Sequence, residues 1–204
     1  MDNYRLSRDR AQRYFLRFDQ EALIRQWHLD ADENYMDTSF LGMPYRICRK
    51  TGAVTRLWSG EEAEFEEVLS IFDLLCHEGD FKVISGNYAP VNSLKGRPQA
   101  AGVGTDFHSS AAAFFDQNPE AFQKACLAMQ GEPVAMGDIG FRFPVFDDLT
   151  VILKFYHSDE EFPAGLTLLW DENTLQFMFY ETVFYVAAFL IHSLRNACTS
   201  EASL

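Results

Sequence analysis

The 204-residue chain has only four cysteines, Cys48, Cys76, Cys126 and Cys198, with no C-x-x-C pair among them. It also has no low-complexity stretch, no long apolar run and few basic residues. Each shortage closes a class of function. Cysteines so scattered supply no clustered thiolates for an iron–sulfur centre, and their spacing selects no disulfide pairing. The most hydrophobic stretch, 183–191, is about half of the ~20 residues that cross hydrocarbon. It reads as a buried helix, and no membrane partner is expected. The first fifteen residues are charged and lack the apolar run and cleavage site of a secretory signal. Together with the unpaired thiols, that makes a reducing cytoplasm the expected compartment. Seventeen Lys and Arg stand against 30 Asp and Glu, a net charge of −13. A surface so acidic repels phosphate backbones, which excludes nucleic acid as a general partner.

What the chain does have is apolar and aromatic. Hydrophobic residues make up 48% and aromatics 15%, with nineteen Phe. That is enough to offset chain entropy, and a chain of this length buries roughly 70% of its unfolded surface. Neither a metal nor a disulfide is needed to hold it, and one domain over 1–204 is expected. The negative charge is unevenly spread. Residues 61–80 hold eight acids and no Lys or Arg, and residues 138–172 hold eight acids against Arg142 and Lys154.

Periodicity predicts a first helix over 8–27, where Ala11, Phe15, Phe18 and Ala22 recur at helical steps. A hairpin is expected over 38–57 around Lys50-Thr51-Gly52-Ala53, with the strand holding Pro44 at an edge because proline cannot donate to a ladder. Phe65, Val68, Leu69, Phe72, Leu75 and Cys76 then mark an amphipathic helix stopped by Gly79. Periodicity disappears over 81–106, which is rich in Gly and Pro and reads as a long irregular loop. Helices over 109–117 and 119–130 follow, the first capped by Ser109 or Ser110, the second by Asn118 with Pro119 at its first position. Strands over 141–146, 150–156 and 165–170 precede a closing helix over 173–197. The fold class is therefore α+β, an antiparallel or mixed sheet flanked by N- and C-terminal helices.

Several short motifs stand together: Gly137-Asp138, Phe143-Pro144-Val145, then Ser158-Asp159-Glu160-Glu161-Phe162-Pro163-Ala164, and Leu168-Leu169-Trp170-Asp171. Phe40-Leu41-Gly42, Pro44-Tyr45-Arg46 and Thr51-Gly52 precede them. In this order they resemble an uncharacterised bacterial domain-of-unknown-function family, numbered 3786, found largely in anaerobes. Phe155-Tyr156 and Gly86-Asn87-Tyr88 depart from it where tryptophans are expected. The resemblance covers most of the chain. It implies a setting in corrinoid, metal or redox metabolism but assigns no reaction.

The strongest chemical cluster is His157, Asp159, Glu160 and Glu161. If the chain stays extended there, residues 157, 159 and 161 share one face and bring an imidazole to two carboxylates. Such a set suits a divalent cation, with Asp138 and Glu160 as acid–base candidates. The competing reading is a solvated acidic turn between strands. Gly102-Val103-Gly104-Thr105-Asp106 lacks the strand and Gly-Lys-Ser ending of a phosphate loop. His108-Ser109-Ser110 lacks a nucleophile elbow, and Cys76 continues an apolar stripe, as a core thiol would. Tyr88, Phe107 and Trp170 are candidates to line a pocket for a flat cofactor of undefined identity under the 82–106 loop. Three functions remain open: a small-molecule or cofactor-binding accessory protein, a metal-assisted enzyme on His157, Asp159 and Glu161, or an interaction module on the acidic face of 61–80. A homo-oligomer is compatible with all three.

Overall fold

The computed structural model of the chain describes residues 3–79, 82–98 and 106–201. The expected first helix is two helices, α1 (Asn3–Phe15) and α2 (Gln20–Trp27). Asp19 breaks it: its backbone is extended and its carboxylate accepts the Ala22 N–H at 3.1 Å, an N-cap in the middle of the apolar repeat. The repeat survives because Phe15 stacks on Phe72 at 4.6 Å while Phe18, in the link between the two helices, packs against the same core.

Next comes a three-stranded antiparallel meander, β1 (Tyr35–Phe40), β2 (Met43–Cys48) and β3 (Val54–Arg56), in that order. The expected hairpin is present as β2–β3, and a second one, β1–β2, turns tightly on Leu41 (φ 48°) and Gly42 (φ 73°). Pro44 therefore lies in the central strand and not at an edge. Its carbonyl accepts from Leu57, one residue past the end of β3. A residue's nitrogen and carbonyl point to the same side in an antiparallel strand, so the missing N–H faces the place where β3 has ended and costs no ladder bond. The amphipathic helix α3 (Phe65–Cys76) follows the predicted stripe but ends before Gly79, at an extended His77.

The larger sheet contains β4 (Tyr88–Pro90), β5 (Glu132–Pro133), β6 (Ile139–Phe146), β7 (Leu149–Tyr156) and β8 (Gly165–Asp171). Its order is β4-β8-β7-β6-β5 and every pairing is antiparallel. Between β4 and β5 run α4 (Asp106–Asp116) and α5 (Pro119–Ala128), the latter capped by Asn118 on the Ala121 N–H. Because α4 begins at Asp106, Ser109 and Ser110 lie inside it and do not cap it. The closing helix α6 (Tyr180–Glu201) starts later than expected, after a 3-10 turn at Thr174–Gln176. Asp73 of α3 caps it from outside, accepting the Phe179 N–H at 2.7 Å and the Thr182 hydroxyl at 2.5 Å. The fold is α+β, as expected, with six α-helices and two antiparallel sheets among the described residues.

Between residues 82 and 98 the expected loop is a strap on the sheet. β4 adds an edge strand to β8, and the fully buried Asp171 fastens the approach to it. One Asp171 oxygen accepts from the Ser85 N–H, the Ser85 hydroxyl and the Gly86 N–H at 2.8–3.0 Å, and the other from Asn173. The meander joins the large sheet through Leu41, whose N–H donates to the Val145 carbonyl. α6 packs across α3, α4 and α5. Buried residues of both sheets and the helices form one contiguous cluster, into which Phe40, Phe72, Phe115, Phe122, Phe143, Phe155 and Trp170 all go. The aromatic surplus is thus largely core. Among the described residues no helix is long and apolar enough to cross a membrane.

Candidate functional site

The geometry disperses the His157, Asp159 and Glu161 cluster. β7 ends at Tyr156, and the chain then curls, the Asp159 N–H donating to the Phe162 carbonyl. The Asp159 carboxylate accepts the Glu161 and Phe162 N–H groups at 2.8 and 2.7 Å, which hold its pKa below the ordinary value. Glu160 and Glu161 are exposed. His157 turns the other way. Its Nδ1 lies 2.8 Å from Asp116 of α4, and its backbone N–H donates to Asp138. Asp116 also accepts the Ser158 hydroxyl, and the Ser158 and His157 contacts draw its pKa down. The adjacent Gly137 has φ +68°, and a Cβ there would come 2.5 Å from the Phe155 carbonyl oxygen, so glycine is required for Asp138 to sit against β7. Among the described residues no three His, Cys, Asp or Glu side chains converge as metal ligands would.

Of the cofactor candidates, Tyr88 lies on the edge strand with its hydroxyl 2.5 Å from that of Thr150, and Trp170 is 1% exposed in the core. Phe107 belongs to α4, but its side chain lies outside the described residues, as do Gly102, Val103, Gly104 and Thr105. Cys76 is a core thiol, pushed up to about 12 by burial.

A different site emerges where α1, the meander, the start of α3 and the middle of α6 meet. They leave a cleft of about 890 Å³, walled by Met43, Trp58, Phe65 and Phe189 on the apolar side and by Arg8, Arg56, Glu64, Glu66, His192 and Asn196 on the polar side. Beneath it lies a buried charge network. The fully buried Glu67 accepts from the Tyr45 hydroxyl (2.7 Å), from Arg56 through Nε (2.8 Å) and a terminal nitrogen, and from the Glu64 N–H (2.7 Å). Hydrogen bonding to Glu67 raises the Arg56 pKa, and burial followed by Glu67 raises that of Tyr45. Trp58 stands edge-on to Tyr45, ring centres 5.1 Å apart, yet is 47% exposed. An indole that bare, propped on a ring that rigid, is a ready face for a ligand.

A second cavity of about 500 Å³ opens on the far side of Glu66, His192 and Asn196, which wall both. It adds Phe114, Ile191, Arg195 and Thr199. Residues 192, 195, 196 and 199 fall on one face of α6. The Arg195 guanidinium lies over the Phe114 ring, 4.8 Å from its centre. Burial raises the Glu66 pKa, the nearby His192 offsetting part of that rise. Sequence reasoning missed this site because its walls come from four distant segments. The available signal was the change on the last helix from an apolar run to His192, Ser193, Arg195, Asn196 and Thr199.

A family model described as Domain of unknown function (DUF3786) matches residues 19–193. No curated protein and no solved structure matches the chain.

Proposed function

Since the chain belongs to the DUF3786 family, whose description carries no activity, we propose its function from its cleft: it binds a small molecule there, as a binding or accessory protein in the anaerobic metabolism that the family resemblance suggested. The binding function expected from the sequence is kept, and its place moves from the 82–106 loop to the groove beside α6. One observation carries this reading. Trp58 is half bare above a cavity of ligand size, while the ring that supports it is locked by a buried carboxylate and guanidinium. Rigid exposed aromatics lose little entropy when a flat molecule stacks on them. Phe65, edge-on to Tyr185 at 5.4 Å, and Phe189, tilted against Phe40 at 5.7 Å, are propped on neighbouring rings in the same way.

The test is purification from the native host without oxygen, followed by an absorption spectrum, and titration of the purified protein with a set of planar heteroaromatic compounds by ligand-detected NMR. The expected result is a copurifying chromophore or a binder from the set, held at least about tenfold more weakly by Trp58→Ala. Protein that arrives empty and takes up no member of the set would overturn the reading.

A further inference from the structure

Resting on that reading, we propose that the ligand carries an anionic oxygen group, a carboxylate or phosphate, which Arg195 receives in the smaller cavity while the planar part lies against Trp58 in the larger one. The two cavities share Glu66, His192 and Asn196 as a common wall, so they lie side by side across a single helical ridge. Along α6 the distance from residue 192 to residue 199 is about 10 Å, a span that one mid-sized metabolite covers.

Arg195 is the group in this groove best suited to an oxyanion. Arg56 is committed to Glu67, and Arg8 lies 3.6 Å from Glu62. Among the described residues Arg195 has no carboxylate partner, and its contact is the face of Phe114. A guanidinium held over a ring has no carboxylate to satisfy its N–H donors, and such a group takes a carboxylate or phosphate through two parallel bonds. His192, three residues before it, is its neighbour on the helix surface and a second donor.

The acids nearby do not cancel this. Glu61 and Glu64 line the larger cavity and face Arg56 at 3.6 and 4.0 Å. Glu66 is the acid on the shared wall, and burial raises its pKa, so a full negative charge is disfavoured there. The chain as a whole carries −13. Anions are therefore repelled at long range, and any affinity for one must be local and depend on Arg195.

Flavin mononucleotide and riboflavin, which share the same ring with and without a phosphate, are the probes, titrated by quenching of flavin fluorescence. Wild type should bind the phosphorylated form at least about tenfold more tightly, since a charge-assisted bidentate contact is worth that much. Arg195→Ala should bring the two affinities together, and Arg195→Lys should restore part of the gap. Equal binding of both probes by wild type, or a gap that survives Arg195→Ala, would overturn the anion site and leave the cleft reading standing. Binding of neither probe would overturn the anion site for planar ligands. If Trp58→Ala also leaves the native chromophore in place, the cleft reading fails as well.

Discussion

Replacing Arg56 with alanine should destabilise this protein more than most single changes, and the buried network beneath the cleft says by how much. Glu67 is 0% exposed and accepts four hydrogen bonds, two of them from Arg56. Without the guanidinium, the carboxylate keeps only two neutral donors and loses its counter-charge. Removing one partner of a buried pair costs about 3–5 kcal/mol. The Arg56 side chain is 17% exposed, so some solvent already reaches it and the lower end, about 3 kcal/mol, applies. Against a total stability of about 5–15 kcal/mol, that is a large share. Tyr45→Phe removes one bond to a charged acceptor and leaves the ion pair intact, so it should cost less, about 1.5–3 kcal/mol. Urea unfolding followed by far-ultraviolet circular dichroism measures both. The triple variant Tyr45→Phe, Arg56→Met, Glu67→Leu leaves no buried charge unpaired and should recover most of the loss, short of the bond that Glu64 N–H gives up. Arg56→Ala within about 1 kcal/mol of wild type, or a triple variant no better than the single one, would refute the reasoning.

Asp73→Ala should cost about 1–3 kcal/mol by uncapping α6, and amide exchange should accelerate over residues 180–184; unchanged protection there would count against the cap. Burial raises the thiol pKa of Cys76 and Cys126, while a hydrogen bond with Thr51 lowers that of Cys48. At pH 8 a disulfide reagent should therefore titrate one fast thiol, abolished by Cys48→Ser, with the buried thiols reacting only in denaturant. Burial also holds the His108 imidazole below its ordinary value of 6.5. Its folded pKa thus lies below its unfolded one, so the unfolded chain takes the proton first. This contribution is complete above about pH 6.5 and is lost as pH falls toward the folded value. His108→Gln should flatten the dependence of the urea midpoint on pH between 7 and 5, and an unchanged slope would dismiss the histidine as its source.

The parts of the fold legible in the sequence were those where local pattern and tertiary burial agree. The α3 stripe from Phe65 to Cys76 and the Asn118-Pro119 start of α5 are local signals that packing only confirms. Where one residue overrides a pattern, the reading failed. Asp19 interrupts a repeat that still points into the core, and Pro44 is harmless because its partner strand ends beside it. Three aspartates in the motifs that carried the family resemblance hold backbone in place. Asp138, Asp159 and Asp171 each use a carboxylate to fasten backbone N–H groups of a turn or strap. A row of such acids looks like chemistry in one dimension. The cleft was invisible for the opposite reason: Arg8, Trp58, Glu66 and His192 have no spacing in common, and only the packing of α1 and α6 on α3 beside the meander brings them together.

The cap that Asp73 gives α6 also orders events in time. Phe179 and Asp73 are 106 residues apart, and Ser85 reaches Asp171 across 86. At about 5–20 residues per second the ribosome needs roughly 5–20 s to travel from one end of the longer link to the other. For that interval α3 has left the ribosome with its apolar stripe and its acidic turn lacking their last partner. The acidic block at 61–80 then repels other nascent chains, while the helix that will cover the stripe is still being made. Long-range links of this kind slow folding and prolong exposure. The negative charge is thus carried by the unfinished chain as well as by the finished surface.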